Sequence, residues 1–327
     1  MAEIAEIKNP GRIQITRRRH PRIESFKSTF NLFLKNKLAL AGFIITMAYG
    51  IIAILDWVHP SWLGIANINN AANFTVGGAS ALSLAPPTAP TLSHGWWYWF
   101  GTTEYQIPIL PVMLAALKFD IAYSVLIVVT GMLIGVIVGT ISGYLGGAVD
   151  ETVMRITDIF FSVPSLILVI AITFVLGESL FFVVIALIII WWPIYARLTR
   201  GLTLSVRSLK FIEAATASGS SKIRTIFSHI IPNVLSPTFV QFSLDLGSIV
   251  LIFASFDYIG LNKGNPLLPE LGQMINWGQV FFTYTTPSGM IMWWPVVIPG
   301  VFLLIFTVAV NLMGDGLRDV LDPRLRR

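Results

Sequence analysis

Apolar residues run almost unbroken along six stretches of the chain: Leu38 to Ile54, Ile121 to Tyr144, Ile156 to Leu176, Leu180 to Ala196, Val234 to Phe256 and Met290 to Met313. Each approaches the roughly 20 residues that a helix needs to cross a hydrocarbon core. The pattern predicts six membrane-spanning helices. Little more than Gly177-Glu178-Ser179 separates the third run from the fourth, so these two are expected to form a tight helical hairpin. Pro193, Pro232 and Pro237 fall inside or beside the fourth and fifth runs and are expected to kink or end helices there.

Composition narrows the classes. Of 327 residues, 55% are hydrophobic and 12% charged, about half the charged share of a soluble domain. Mean hydropathy is +0.75. An ordinary soluble enzyme, a disordered chain and a disulfide-stapled secreted domain are excluded. There is no cysteine, hence no disulfide, thiolate metal site or thiol nucleophile.

Charge supplies the orientation. Nine basic residues lie in 1–37 (Lys8, Arg12, Arg17, Arg18, Arg19, Arg22, Lys27, Lys35 and Lys37) and one, Arg155, between the second and third runs. Six lie between the fourth and fifth runs, and four in the tail, so these segments hold 20 of the 22 Lys and Arg. Six crossings put all four segments on one side, which the positive-inside rule makes the cytoplasm, with both termini there. Only Lys118 and Lys263 fall elsewhere. The net charge of +5 and the pI near 9.5 therefore report topology, and Arg17-Arg18-Arg19 reads as an orientation signal rather than a nucleic-acid contact. The long charged start, followed by a full-length run without a small-residue cleavage site, marks the first span as a retained anchor rather than a signal peptide. The chain divides into a basic segment (1–37), a first transmembrane helix (38–58), an external segment (59–118), a five-helix core (119–313) and a cytoplasmic tail (314–327).

Three segments outside the spans carry candidate chemistry. The first external segment contains the sequon Asn73-Phe74-Thr75 and the cluster Trp96-Trp97-Tyr98-Trp99-Phe100. The cluster reads as an interfacial belt, with a ligand- or partner-facing surface as the alternative. Residues 257–289 are rich in Gly and Pro and predict a re-entrant or capping loop. The cytoplasmic segment 197–233 is helix-forming but too polar to span. Leu209, Ile212 and Thr216 recur at helical spacing beside the small Ala214 and Ala215. Gly219 can end a helix in the left-handed conformation, and Ser220 or Ser221 can cap the next. A short helix, a sharp turn and a second helix leading to Pro232 follow. Such a helix either docks a cytoplasmic protein or lies as an amphipathic connector on the bilayer.

At these residues the chain resembles a known family. Glu213-Ala214-Ala215, then Gly219, then His229-Ile230-Ile231-Pro232-Asn233 is similar to the EAA motif of permease subunits of binding-protein-dependent ABC importers. Gly143-Tyr144-Leu145-Gly146-Gly147 through Asp150, Met154-Arg155, Asp158, Ser162 and Pro164 resembles a junction found in the dipeptide/oligopeptide/nickel subgroup. Asn36-Lys37-Leu38-Ala39-Leu40 and the tail from Asn311 through Gly314-Asp315 to Asp322-Pro323-Arg324 resemble its C-type subunit. The likeness covers residues 31–58 and 120–327 with the motif order kept.

The resemblance implies an all-α integral membrane protein of the type I ABC importer permease fold, with six transmembrane helices and a cytoplasmic coupling helix at about residues 208–219. It implies a homologous B-type permease partner, two ATPase subunits or domains that carry ATP and Mg, and an external substrate-binding protein. It assigns ATPase coupling to Glu213, Ala214, Ala215, Gly219, His229 and Pro232. Peptides are the substrate it implies first; oligosaccharides share the architecture, and nickel is disfavoured because no His/Met/Asp cluster marks the spans. The chain departs from the family's pattern at Thr103-Glu104-Tyr105-Gln106-Ile107-Pro108, at Phe253 and at Leu271-Gly272, all toward the outer side or the pathway.

The residues add little chemistry of their own. No Gly-x-x-x-x-Gly-Lys-[Ser/Thr] is present, so ATP is expected to bind elsewhere. His20, His59, His94 and His229 are dispersed, without metal-ligand spacing, and no catalytic site is expected. Gly131, Gly135, Gly139 and Gly143 recur every four residues and predict a bare helix face for close packing, or a face that slides. Asp245 and Gln241 share a helix face near the middle of the fifth span and are pathway candidates, since ionisable groups in a membrane usually face the bundle interior. Asp158 is expected to pair with Arg155. A secondary transporter or channel working alone is the rival from another class. A single near-mid-span carboxylate and the lack of an inverted repeat argue against it. A membrane scaffold without transport leaves the Gln241/Asp245 face unexplained.

Overall fold

The computed structural model describes residues 33–59, 86–92, 95–104, 106–261, 270–285 and 289–321. The basic stretch through Lys27, the Asn73 sequon, Lys263 and Arg324 to Arg327 lie outside them. Among the described residues the regular structure is helical, apart from two isolated antiparallel bridges, Thr102 with Pro108 and Thr285 with Ile291.

The first helix, α1, is Lys37–Val58. Asn36 starts it, its side chain accepting from the Leu38 and Ala39 amides at 3.2 Å each. The second, α2, is Ile109–Leu145. At 37 residues it is about 55 Å long, well beyond the hydrocarbon core, and it starts twelve residues before the apolar run predicted. Gly146 and Gly147 follow with φ of 68° and 55°, a turn that side-chain-bearing residues disfavour.

The third predicted span is not one helix. It is α3 (Gly147–Ser162) and α4 (Ser165–Leu176), bent by 91°. The cause is local. Val163 precedes Pro164, the proline ring disfavours helical backbone at that position, and Val163 is extended at φ −106° and ψ 131°. Two of the prolines singled out from the sequence do not end their helices. Pro193 lies inside α5 (Leu180–Arg207), and Pro237 inside the following long helix, α7 (Lys222–Ile259). Membrane helices tolerate such prolines where neighbouring groups meet the freed carbonyl. Pro232 follows a π turn at Ile226–Ile230, closed by the Ile231 amide on the Ile226 carbonyl. The widened turn suits a residue that cannot donate to the carbonyl four positions back.

Short α6 (Lys210–Ala217) joins α5 to α7. At the opposite end of the bundle, α8 (Leu271–Gln279) precedes the last long helix, α9 (Trp294–Leu321). Among the described residues, five helices are long and apolar enough to cross a membrane, and the bent pair supplies a sixth crossing if taken as one span. Exposed Ile44, Phe174, Val175 and Leu304 present apolar surface suited to lipid.

Among the described residues, three apolar clusters hold the bundle. One joins α1, the first half of α2, α8 and α9 around Val112, Trp294 and Phe306. There Tyr49 stacks between Phe302 and Phe306, at 4.6 and 5.0 Å, and donates its hydroxyl to the Phe302 carbonyl at 3.0 Å. A second joins α2, α5 and α7 around Ile127, Leu187, Tyr195 and Phe253. The third is small, Ile212 with Ile230 and Val234. Helices approach through glycine: a Cβ on Gly42 would stand 2.5 Å from the Ala309 carbonyl oxygen, and one on Gly314 would stand 3.0 Å from that of Ser243.

Candidate functional site

α6 is built to be held at one point and exposed elsewhere. Ile212 is its buried residue and packs on Ile230 and Val234 of α7, with Tyr144, Leu202 and Val206 around them. Helical spacing then turns Glu213 and Ala214 outward, with Ala215 half-buried. Gly219 takes φ +83° after the helix ends, and its amide donates to the Thr216 carbonyl at 3.0 Å. Ser220 donates to Ala215 at 3.1 Å, closing a glycine-type C-cap. Ser221, the second of the two candidate caps, accepts from the Arg224 amide at 3.3 Å and starts α7. His229 sits in the π turn, its carbonyl accepting from Asn233 Nδ2 at 2.6 Å, and Pro232 is exposed at the start of the regular helix.

Beside α6 opens a groove of about 530 Å³, lined by Tyr144, Arg207, Glu213, Thr216 and Lys222 among others. Arg207 is fixed there by donating to the Tyr144 carbonyl at 3.2 Å. Leu209, Phe211, Phe227 and Ile223 leave apolar surface exposed around this end, Ile223 at 71%. An exposed helix with a single buried anchor, a mixed-charge groove and an apolar rim is suited to seating on another protein. Among the described residues, no three His, Cys, Asp or Glu side chains come together to hold a metal ion.

The glycine stripe of α2 lies against α5. A Cβ on Gly131 would meet Trp191 Cβ at 3.1 Å, one on Gly135 the Trp192 carbonyl oxygen at 2.6 Å, and one on Gly143 the Arg200 carbonyl oxygen at 2.9 Å. Gly139 faces Ala196 and Thr199. Asp245 is buried at 7% exposure and accepts from Gln241 Nε2 at 2.7 Å. The residues facing it, Tyr195 and Trp191, belong to α5, so the carboxylate points into this chain's own α5–α7 interface.

Several polar constellations join residues that sequence alone does not connect. Asp158 pairs with Arg197 at 2.6 Å and not with Arg155, which approaches Glu151 at 3.9 Å. α3 turns from α4 by 91°, and Asp158 meets Arg197 of α5 instead of a neighbour on its own helix. One stretch earlier, Arg200 grips Asp150 through Nε and Nη2 at 2.6 Å each, and Ser142 Oγ donates to Asp150 at 2.6 Å.

At the other end of the bundle, Lys118 contacts the fully buried Asp56 at 2.7 Å, and buried Asp120 accepts from the Leu271 amide at 3.1 Å. Glu104 and Glu270 are buried there, and desolvation pushes each from 4.5 up to about 7. Trp96 and Trp97 stack at 3.5 Å in a short three-ten turn, half-exposed. Of the positions that depart from the resembled pattern, Gln106 holds φ 60°, unusual for a residue with a side chain, and its amide donates to the Pro86 carbonyl. Phe253 is core, and Gly272 packs on the Ala254 backbone.

Residues 131–327 match the family model described as binding-protein-dependent transport system inner membrane component. The chain is similar to the probable D,D-dipeptide transport system permease protein DdpC of Escherichia coli (strain K12), with 35% identity over 84% of this chain and 85% of that relative. It is similar to the dipeptide transport system permease protein DppC of Alkalihalophilus pseudofirmus, with 32% identity over 93% of this chain and 91% of the relative. The oligopeptide transport system permease protein OppC of Bacillus subtilis (strain 168) is 32% identical over 92% of this chain and 90% of its own length.

Proposed function

We propose a function from one premise: the chain belongs to the family of binding-protein-dependent transport system inner membrane components. It is a multi-pass membrane permease subunit of an ABC importer, and it is a transport component rather than an enzyme, with ATP hydrolysis on separate subunits. The substrate we propose is a short peptide, after the dipeptide and oligopeptide permeases it resembles over nine-tenths of its length.

The observation that carries the mechanism is α6, an exposed helix held by Ile212 at the basic end of the bundle. In our reading that end faces the cytoplasm, with both termini, as the charge distribution favours. Glu213, Ala214, Ala215 and Gly219 contact an ATPase subunit, while His229 and Pro232 shape the π turn near the start of α7, just beyond the turn that joins it to α6. A homologous permease partner encloses the pathway with this chain. Closing of two ATP-loaded ATPases displaces α6 and opens the pathway outward, where a loaded binding protein docks. Hydrolysis resets it. Gln241 and Asp245 join the pathway if that displacement parts α5 from α7. Otherwise their pair is internal packing.

The test is reconstitution in proteoliposomes of the chain with its permease partner, ATPases and binding protein. Labelled di- and oligopeptides should enter only with ATP and the binding protein. Flux through the purified chain alone would establish the secondary-transporter reading instead. Uptake of oligosaccharides but not peptides would move the substrate to sugars, the reading for which the stacked Trp96–Trp97 pair offers aromatic faces.

A further inference from the structure

α3 is loosely embedded. Of its sixteen residues only Thr157 is buried, with Phe160 edge-on to Trp192 at 5.8 Å. Two ion pairs fasten it to α5, and they are unequal. The Asp150–Arg200 pair is bidentate, has a third bond from Ser142 at 2.6 Å, and exposes only 17% and 33% of its side chains. The Asp158–Arg197 pair is a single 2.6 Å contact, about half-exposed on both sides, with the Arg197 guanidinium 4.2 Å from the Phe161 ring centre. A bidentate, partly shielded pair holds its geometry, whereas a single solvated pair is weak and exchanges readily with water. Just beyond Asp158 the backbone breaks at Val163–Pro164, so the far end of α3 can move without straining the hydrogen bonds of α4. On the other side α5 runs through Ser208 and Leu209 into α6.

We infer that α3 is a lever driven by α5: Asp150 and Arg200 form its fixed pivot, and Asp158 and Arg197 form a latch that opens when α6 is displaced. These four are positioning residues. They touch no substrate and act by setting where the bent α3–α4 pair stands relative to the bundle. The inference rests on the transport reading above, since it takes its driving motion from α6.

This chain has no cysteine, so introduced pairs are its only thiols. Two double variants, Asp158→Cys with Arg197→Cys and Asp150→Cys with Arg200→Cys, are placed in the complete importer and joined with a short bifunctional thiol reagent. Addition of ATP should lower the crosslinking yield at the latch and leave that at the pivot unchanged. The pivot variant should transport poorly before crosslinking and recover when crosslinked, whereas crosslinking the latch should abolish uptake; two merely structural braces would respond to crosslinking alike. ATP-driven uptake with equal yields at both pairs, or uptake that survives a crosslinked latch, overturns the lever and leaves the transport function standing. If ATP drives no uptake in the unmodified complex and no change in yield in either variant, both readings fail together.

Discussion

Thr199 of α5 donates from Oγ1 to the Tyr195 carbonyl of its own helix at 2.8 Å and lies 3.1 Å from the Gly135 carbonyl oxygen of α2, a close approach of the two helices at a residue without a side chain. A Cβ there would stand 2.6 Å from the Trp192 carbonyl oxygen, a contact with rigid backbone that no rotamer relieves. Gly135→Ala should therefore push α2 from α5 and destabilise the protein by about 1–3 kcal/mol, the usual cost of overpacking. Gly201 supplies the control. It also lies in a helix, but nothing stands within 4 Å of its Cβ position, so Gly201→Ala should be neutral or slightly stabilising. Thermal unfolding of the two variants in detergent checks the contrast. Equal melting temperatures would mean that the α2–α5 contact is not close-packed.

Lys118 is one of only two basic residues off the basic face, and Asp56 explains it. The carboxylate is fully buried at the end of α1, and Lys118 is its counter-ion at 2.7 Å. Lys118→Met should cost about 3–5 kcal/mol, because it strands a buried charge. Replacing both, as Asp56→Leu with Lys118→Met, should recover most of that loss. Melting temperatures of the single and double variants decide it. A double variant as unstable as the single would show that the lysine acts through packing alone.

The six apolar runs were readable because apolar length and helix length are tied by the width of the hydrocarbon core. The class of the chain was readable for the same reason. What the sequence hid is long-range. Asp150 and Arg200 lie 50 residues apart and Asp158 and Arg197 lie 39 apart, and no periodicity links them. The bend that brings them together depends on Val163 and Pro164, inside a run whose hydropathy is unbroken. Pro193 and Pro237 carry the same local signal, yet their helices continue, since tertiary packing decides whether a proline ends a membrane helix. For the coupling segment, the helix–glycine–helix pattern gave the local order. The dependence of α6 on the single anchor Ile212 required Ile230 and Val234 to be seen folded back on it.

Gly219 holds φ +83° with open space around it, so its requirement is conformational and not steric. Gly219→Pro forces φ near −65° and breaks the cap that sets the exit of α6. Glu213→Arg leaves the helix intact and reverses an exposed charge on the surface proposed to meet the ATPase. Both variants should insert normally and reduce ATP-driven uptake at least about tenfold, as the loss of about 1.4 kcal/mol at a docking contact implies. Membrane content, ATPase rate and uptake are measured together. Normal uptake in both would sink the assignment of α6 to docking.

Glu270 gives stability a pH dependence whose sign is opposite to that of a salt-bridged carboxylate. It precedes α8 at 2% exposure, beside Asp120, and burial pushes it from 4.5 up to about 7. Between pH 4.5 and about pH 7 the folded chain thus holds a proton that the unfolded chain has released. Where the folded state binds more protons, stability falls as pH rises. The contribution is complete below pH 4.5 and is lost as pH passes about 7. Glu104, buried and shifted likewise, adds to the same trend. The melting temperature should drop by several degrees from about pH 5 to about pH 8. In Glu270→Gln, which cannot ionise, the drop should shrink, and the variant should be the more stable protein at the alkaline end. Comparing the two slopes isolates this residue from carboxylates whose pairing works the other way. A variant whose slope matches the parent's would show that Glu270 does not titrate in this range.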